Sequence, residues 1–471
     1  MRDILRPDYD QVLLLPPVME DWIGAEHPAR FIREVVAQAG GNPEFRQPDP
    51  HTGGTCYAPE MLLAVWLYGY CRGIRSTRKL EVACREDMGF VWLSGNLRPD
   101  HNALWRFWNA NHKGLRAFFK DTVRLAMKMD LVGFALEAID GTKIPAVCAA
   151  RRGYDAAGLQ RALSRAEERV TELEQALQAA AAESTPESAL PAQLRSATIL
   201  REKVRAALEC VRGGERQHCH PEELEAVRMK LSTGGNRFGY NGQACVDAKA
   251  QIITACELRT QANDHGLLMV MKQAAEQNTE GKTEQTLADS GYQSEATFSA
   301  AEAAGAEVMV PLPVPVQGRE DQPFHNSRFH YDEARDAVLC PEGHSLVFHH
   351  QRQRREMPVR VFRNSAACRH CPVRKQCTKD KAGRAIDITP HHAALVRHRK
   401  KMKRPEVQQL YRKRSGIVEP VFARAKAQGG FARFTVRGQA KASVQWALVC
   451  TSINLRRLHS FWKTRRSGAA P

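Results

Sequence analysis

Two short stretches constrain the chain most. FALEAIDGTKIPA, residues 134–146, and TEQTLADSGY, residues 283–292, each carry an apolar run that meets an aspartate. In the first, Phe134, Leu136 and Ala138 alternate with Ala135, Glu137 and Ile139, which reads as a buried strand. It is expected to end on Asp140, with Gly141 closing it. In the second, a strand is expected to end on Asp289, followed by a Ser-Gly turn. A carboxylate at the end of a buried strand is costly unless something pairs with it. In open α/β sheets the carboxyl ends of strands form the functional edge, so neighbouring strands would bring the two acids together. Converging carboxylates repel unless a cation sits between them, and oxygen-only ligands suit Mg²⁺ or Mn²⁺. A pair of such ions is the usual machinery for in-line phosphodiester chemistry.

The segments around these strands set the fold class. Residues 1–130 read as helical, with Met61, Leu62, Val65, Trp66 and Tyr68 at helical spacing and Ser76 able to cap a following helix. From Leu159, the residues Leu163, Ala166, Val170, Leu173, Leu177 and Ala180 follow in steps of four and three, a heptad seam. ESTPESALPAQ (183–193) interrupts it, and a second helix carries Leu194, Leu200, Val204, Leu208 and Val211. GYNGQACVDA (239–248) and QIITACELRT (251–260) predict a β-hairpin. A helix capped by Asp264 follows, then the Asp289 strand, another helix and the apolar strand EVMVPLPV (307–314). The order predicts an α/β fold with a mixed sheet. The short helices over 1–130 suit a DNA-binding unit and an ordinary helical core equally well, and a first catalytic piece is expected over 131–154. An inserted helical hairpin over 155–212 and the rest of the catalytic sheet over 213–315 come next. A cysteine-rich basic insertion over 316–400 and a C-terminal helix with basic tail over 401–471 complete it.

Charge narrows the partner. The 471-residue chain carries +17, with a pI near 9.4. Residues 391–471 hold 19 Lys and Arg against two acids, Glu406 and Glu419, an excess equal to that of the whole chain. A polyanion is implied, either nucleic acid or an anionic membrane surface. No run approaches the roughly 18 apolar residues of a membrane span, and the prolines in the N-terminal stretch do not suit a signal peptide. The expectation is a cytoplasmic protein, nucleoid-associated when DNA-bound. Glu419, in YRKRSGIVEPVFARAK (411–426), stands out in this basic region. Arg412, Glu419 and Lys426 are spaced by seven and so share a helical face. Such a face suits a carboxylate that holds metal while cations grip phosphate, though an acid paired with its neighbouring arginines has the same spacing. Pro420 fits a helix start better than an interior, so the helix is expected to kink or begin there.

IDGTKI, LADSGY and R…VEPVF…K, in this order, resemble the DDE transposases of bacterial insertion sequences. The resemblance extends to YAPEMLLAVWLYGYCRGIRSTRKLE, PDH and GYNGQACVD. It implies an RNase H-like catalytic domain with two divalent metals, Mg²⁺ or Mn²⁺, held by Asp140, Asp289 and Glu419. The family's Tyr-Arg-Glu-Lys helix is matched at Glu419 and Lys426, with its aromatic and arginine positions at Tyr411 and at Arg412 or Arg414. Arg412, Arg414 and Lys426 are thus expected to contact DNA. The implied activity is cleavage at element ends and strand transfer, and the implied partner is double-stranded DNA, with two or more copies in the synaptic complex. The alternative is a catalytically inactive, domesticated transposase-like DNA-binding protein. His101, Asp247 and Asp264 also fall in family-like stretches, and none is assigned as a ligand.

VLCPEGH (338–344) and CRHCPVRKQC (368–377) form a separate cluster. Cys340, Cys368, Cys371 and Cys377 supply four thiolates suited to a structural Zn²⁺, with His344 or His370 as a substitute ligand. An iron–sulfur cluster uses the same four ligands, and free reduced cysteines are the third reading. Nearby Arg352, Arg354, Arg355 and Arg360 would let this part contact DNA.

Overall fold

The computed structural model describes residues 18–38, 45, 56–148, 154–182, 189–214, 216–231, 234–312, 323–354 and 357–466. Part of the 183–193 interruption and Arg355 lie outside the described residues.

The helical part comes first: α1 (Pro28–Gln38), α2 (Pro59–Cys71), α3 (Thr77–Glu86), α4 (Met88–Leu93), α5 (His101–Ala110) and α6 (His112–Lys128). Helix α2 is buried almost all round, from Leu62 to Tyr70, as an apolar helix without a polar face must be. Ser76 occupies the N-cap of α3 but makes no cap bond, whereas Asp87 and Asp100 cap α4 and α5 through their side chains. His101 is structural: its Nδ1 lies 2.7 Å from the Glu81 carboxylate, tying α5 to α3.

Strand β1 (Leu136–Pro145) follows. It starts two residues later than the alternation suggests, because Phe134 has a positive φ of 59°. The carboxylate of Asp247 accepts from the Gly133 and Phe134 amides and holds that turn. Two long helices, α7 (Ala156–Ala182) and α8 (Leu190–Arg212), then pack on each other. Leu159, Leu163, Val204 and Leu208 form their shared core, whereas Leu200 is exposed. Next come β2 (Val227–Lys230), β3 (Asn236–Asp247), β4 (Ile253–Arg259), α9 (Leu267–Thr279), β5 (Gln285–Ala288), α10 (Glu295–Ala303) and β6 (Glu307–Met309).

These strands make one mixed sheet in the order β2-β3-β1-β5-β6, with β4 also on β3. Strand β3 runs antiparallel to β1 and β4, while β5 and β6 run parallel to β1. Helices cover both faces. Ala138, Ala244 and Leu287 pack on the side of the C-terminal and N-terminal helices. Ile139, Cys245 and Ala288 pack under α9 and α10. Beneath β1 lies a buried ion pair: Lys272 Nζ stands 3.5 Å from the Glu137 carboxylate, with both side chains at most 4% exposed. Thr286 and Thr283 hydroxyls also donate to Glu137.

A second, five-stranded sheet contains β7 (His330–Asp332), β8 (Ala337–Leu339), β9 (Ser345–Arg354), β10 (Met357–Arg363) and, after α11 (Ser365–His370) and α12 (Arg374–Cys377), β11 (Ala385–Ile388). All its pairings are antiparallel, and Val338, Leu346, Phe362 and Ile386 form its small core. The chain ends in α13 (His392–Met402), α14 (Pro405–Tyr411), α15 (Lys413–Ala423), one π-helical turn (Arg424–Gln428) and α16 (Gln439–Arg466). Pro420 sits inside α15 rather than starting it, and the widened turn follows directly after. Among the described residues no helix is long and apolar enough to cross a membrane.

Candidate active site

Asp140 does not end its strand. Strand β1 continues through Pro145, paired with β3 along its whole length. What ends there is the pairing with β5, whose last register partners are Ile139 and Ala288. The next residue in each chain is an aspartate, so Asp140 and Asp289 stand side by side where the parallel pair opens. Asp140 alternates with Ala138 and therefore faces the C-terminal helices. There its Oδ2 meets Arg414 Nη2 at 3.0 Å, with the two side chains only 17% and 14% exposed. Its Oδ1 accepts from the Gly141 amide at 2.8 Å. Asp289 caps the turn after β5, its side chain accepting from the Gly291 amide at 2.9 Å.

A third aspartate joins them. Asp264 does not cap α9, whose N-cap is Gly266. Its carboxylate instead accepts from Lys143 Nζ at 3.2 Å, Asn241 Nδ2 at 2.6 Å and Gln243 Nε2 at 2.8 Å. The buried Tyr292 hydroxyl donates to the Gln243 side-chain oxygen. This cluster explains Gly141: a Cβ there would lie 2.3 Å from Gln243 Nε2 and 3.0 Å from Asp264 Oδ1. Asn241 and Gln243 carried a readable signal, being polar residues inside a strand covered on both faces, where each needs a partner. Asp264 gave no such signal, because Asp before a helix normally reads as a cap.

Electrostatics follow from burial and crowding. The Asp140 carboxyl is pushed up to about 6, chiefly by burial; Arg414 and the Gly141 amide pull it down, and the charges of Asp289 and Asp264 add to the rise. Burial also raises the Tyr411 hydroxyl, with Arg414 opposing and the charges of Asp289 and Asp140 adding, which places Tyr411 at the same mouth.

The other expected residues divide. Helix α15 packs on β1, and Arg414 points into the site. Glu419 is exposed on α15 and makes no hydrogen bond or ion pair among the described residues. Arg412 and Lys426 are exposed, Arg412 at the junction of α14 and α15 and Lys426 in the π-helical turn. Among the described residues, no three His, Cys, Asp or Glu side chains stand as a metal cage. The donor chemistry at Asp140 and Asp289 nonetheless fits a hard divalent cation, and a guanidinium now supplies positive charge to Asp140.

In the second sheet, Cys340, Cys368, Cys371 and Cys377 line one cavity of about 30 Å³ together with His344, Phe324 and Phe329. None of the four forms a disulfide. The Cys377 thiol is raised by burial, with Arg384 opposing and the charges of the other three cysteines adding. Gly383, at a φ of 93°, lets the chain pass Cys368, since a Cβ would lie 3.0 Å from its sulfur.

Two family models match the chain: "Transposase domain (DUF772)" over residues 17–110 and "Transposase DDE domain" over residues 339–459. Both matches support a DDE transposase of the insertion-element type. No curated protein matches it. The DDE-domain match spans Glu419, Lys426 and the four cysteines, whereas Asp140 and Asp289 fall outside both matches. The matches indicate a transposition function in outline and imply a nuclease–transposase class.

Proposed function

We propose that the transposase cuts DNA at the ends of its element and joins the freed 3′-hydroxyls to target DNA, with Asp140, Asp289 and Glu419 as its acidic triad. The observation that carries this reading is the adjacency of Asp140 and Asp289 where β1 and β5 part. Three antiparallel strands followed by two parallel ones, in the order β4-β3-β1-β5-β6, support an RNase H-like reading of the catalytic sheet. Two divalent ions, Mg²⁺ or Mn²⁺, would supply activation of the attacking oxygen and neutralisation of the leaving one.

The chain's own residues supply the rest. Asp140 and Asp289 are preset by the sheet, and Asp264 is fixed beside them by Lys143, Asn241 and Gln243. Arg414, 3.0 Å from the Asp140 carboxylate, offsets part of its charge and would stand within reach of a phosphate oxygen brought to that carboxylate. Arg412 and Lys426 present free cations on the outer side of the same helical segment. The N-terminal helices would bind the terminal inverted repeats, and α7 and α8 would serve pairing of two copies at synapsis. In the second sheet the four cysteines line one cavity without standing as a metal cage, and a structural Zn²⁺ that drew them together would clamp α11 and α12 to the β8–β9 turn. The acidic pair kept at the sheet's parting edge favours an active enzyme over a domesticated binder.

The decisive experiment is cleavage and joining of a labelled duplex carrying the gene's own flanks, with Mg²⁺, Mn²⁺ or EDTA. Metal-dependent nicks at the repeat ends and joined products are expected. Binding without any cutting would sink the catalytic reading.

Burial of Asp140 makes a second, metal-free prediction. Its carboxyl has an ordinary value of 3.8 and is held near 6 in the fold, so the folded chain keeps this proton more tightly. The group's contribution to stability is full below about pH 3.8 and is lost as pH rises through about 6. In EDTA, Asp140→Asn should therefore gain unfolding free energy relative to wild type as the pH goes from 4 to 7. A difference that stays flat with pH would show that Asp140 is not held in this way.

A further inference from the structure

Between the second sheet and the site the chain runs through α13, α14 and the start of α15. Residues 392–414 hold nine Lys and Arg and a single acid, Glu406. Three of the nine are paired. Arg397 meets Glu302 at 2.7 Å and Glu333 at 3.2 Å, Lys401 meets Glu307 at 3.2 Å, and Arg414 meets Asp140 at 3.0 Å. The other six, Arg399, Lys400, Lys403, Arg404, Arg412 and Lys413, are exposed and pair with no acid among the described residues.

Cations in the last turn of a helix complement its carbonyl end, which accounts for Arg399 and Lys400. It does not account for Lys403 and Arg404 beyond that end, or for Arg412 and Lys413 one helix later. Lys400 and Arg404 also line a cleft of about 510 Å³ against α10 and β6, on the same side of α13 as Arg397 and Lys401. Glu302 and Glu307 in that cleft are engaged by Arg397 and Lys401, which leaves Lys400 and Arg404 for another anion. Helices α13, α14 and α15 pack in succession, and α15 packs on β1. Across the seven residues of α14 the two cation groups are about 10 Å apart, roughly three nucleotide steps of one strand.

We infer that this strip, from Arg399 to Lys413, is a phosphate track that holds the duplex flanking the cut and leads its backbone to Arg414 and Asp140. The inference rests on the transposition reading and names how that site takes its DNA. An unpaired row of cations ending at the acidic pair places attraction for the polyanion next to the carboxylates that would otherwise repel it.

The test is binding of a labelled duplex with the gene's flanks to the full chain in EDTA, across about 50 to 200 mM salt. The variant is K400A/K403A/R404A. The control, R161A/R165A/R195A, removes equal charge from α7 and α8. The strip variant should lower the magnitude of the log K against log salt slope by about 2 to 3 and weaken binding more than tenfold at the upper salt. The control should leave both unchanged, K400R/K403R should keep wild-type binding, and all should melt with wild type. An unchanged slope, or an equal loss in the control, overturns the track. Because binding is read without metal, a chain that binds through the strip yet never cuts refutes the chemistry and leaves the track standing. A chain that cuts while its slope ignores the strip does the reverse.

Discussion

The two sheets use ion pairs in opposite ways. In the six-stranded sheet Glu137 and Lys272 pair in the dark, with Thr283 and Thr286 filling the remaining lone pairs. In the five-stranded sheet Arg352–Asp387, Arg360–Asp336 and Arg363–Asp380 lie at the surface, and β9 is exposed along nearly its whole length. The first sheet has helices over both faces and can place two aspartates rigidly at its parting edge. The second has a core of a few side chains, and on the proposed reading a metal at the cysteine cavity would be its other tie. One sheet is rigid through burial, and the other would take help from chemistry.

The largest effect should come from the edge of the first sheet. On the proposed reading, Asp140→Ala or Asp289→Ala each removes a metal carboxylate, a loss of several kcal/mol of charge stabilisation, or about 10³-fold in cutting. Duplex binding in EDTA should survive. Equal loss of binding and cutting would mean the acids hold the fold, not the chemistry. Gly141→Ala should act in the same direction by pushing Gln243 and Asp264 apart, with the melting temperature reporting any wider damage.

Next is the buried pair. Lys272→Met leaves the Glu137 carboxylate buried with only hydroxyl and thiol partners, and should cost about 3–5 kcal/mol in chemical denaturation. A cost below about 1 kcal/mol would place Glu137 in contact with water and remove the contrast between the sheets.

How much of this was legible follows the same contrast. The mixed α/β pattern, the β3–β4 hairpin and the paired long helices were readable because apolar periodicity records what a sheet or helix buries. The extension of β1 past Asp140 was not, since Gly141 and Lys143 look like a turn until Asn241 and Gln243 are seen opposite them. Asp264 was hidden by a local rule that assigns such residues to caps. The second sheet left little trace. His349 to Arg354 is a run of polar residues without alternation, because neither face of that part of β9 is covered. Glu419 stood out as one of two acids in a basic stretch, and only the resemblance put it in the triad; its exposed place on α15 makes no contact among the described residues that would single it out.

The cysteine cavity should come third. Cys371→Ser, or chelation of the purified protein, should loosen the second sheet alone. Hydrogen exchange is expected to rise in β8, β9 and α11 while β1 and β3 stay protected, and metal analysis should return about one zinc per chain before chelation. Wild-type protein without bound metal and with unchanged exchange after chelation would leave four reduced thiols packed as small apolar groups.

The smallest effect should come from the surface pairs, and it is the sharpest check on the contrast. Asp336→Asn keeps a side chain that tolerates the positive φ of 45° at this turn and removes only the charge facing Arg360. Both partners are solvated, so salt and water already screen most of their attraction. Arg360 also keeps its stacking on Phe348 and Phe362, at 4.8 and 5.2 Å from the ring centroids, whatever happens at Asp336. The melting temperature should therefore stay within error of wild type. A clear fall would mean that the second sheet leans on its ion pairs after all, and that the cysteine cavity is not its principal clamp.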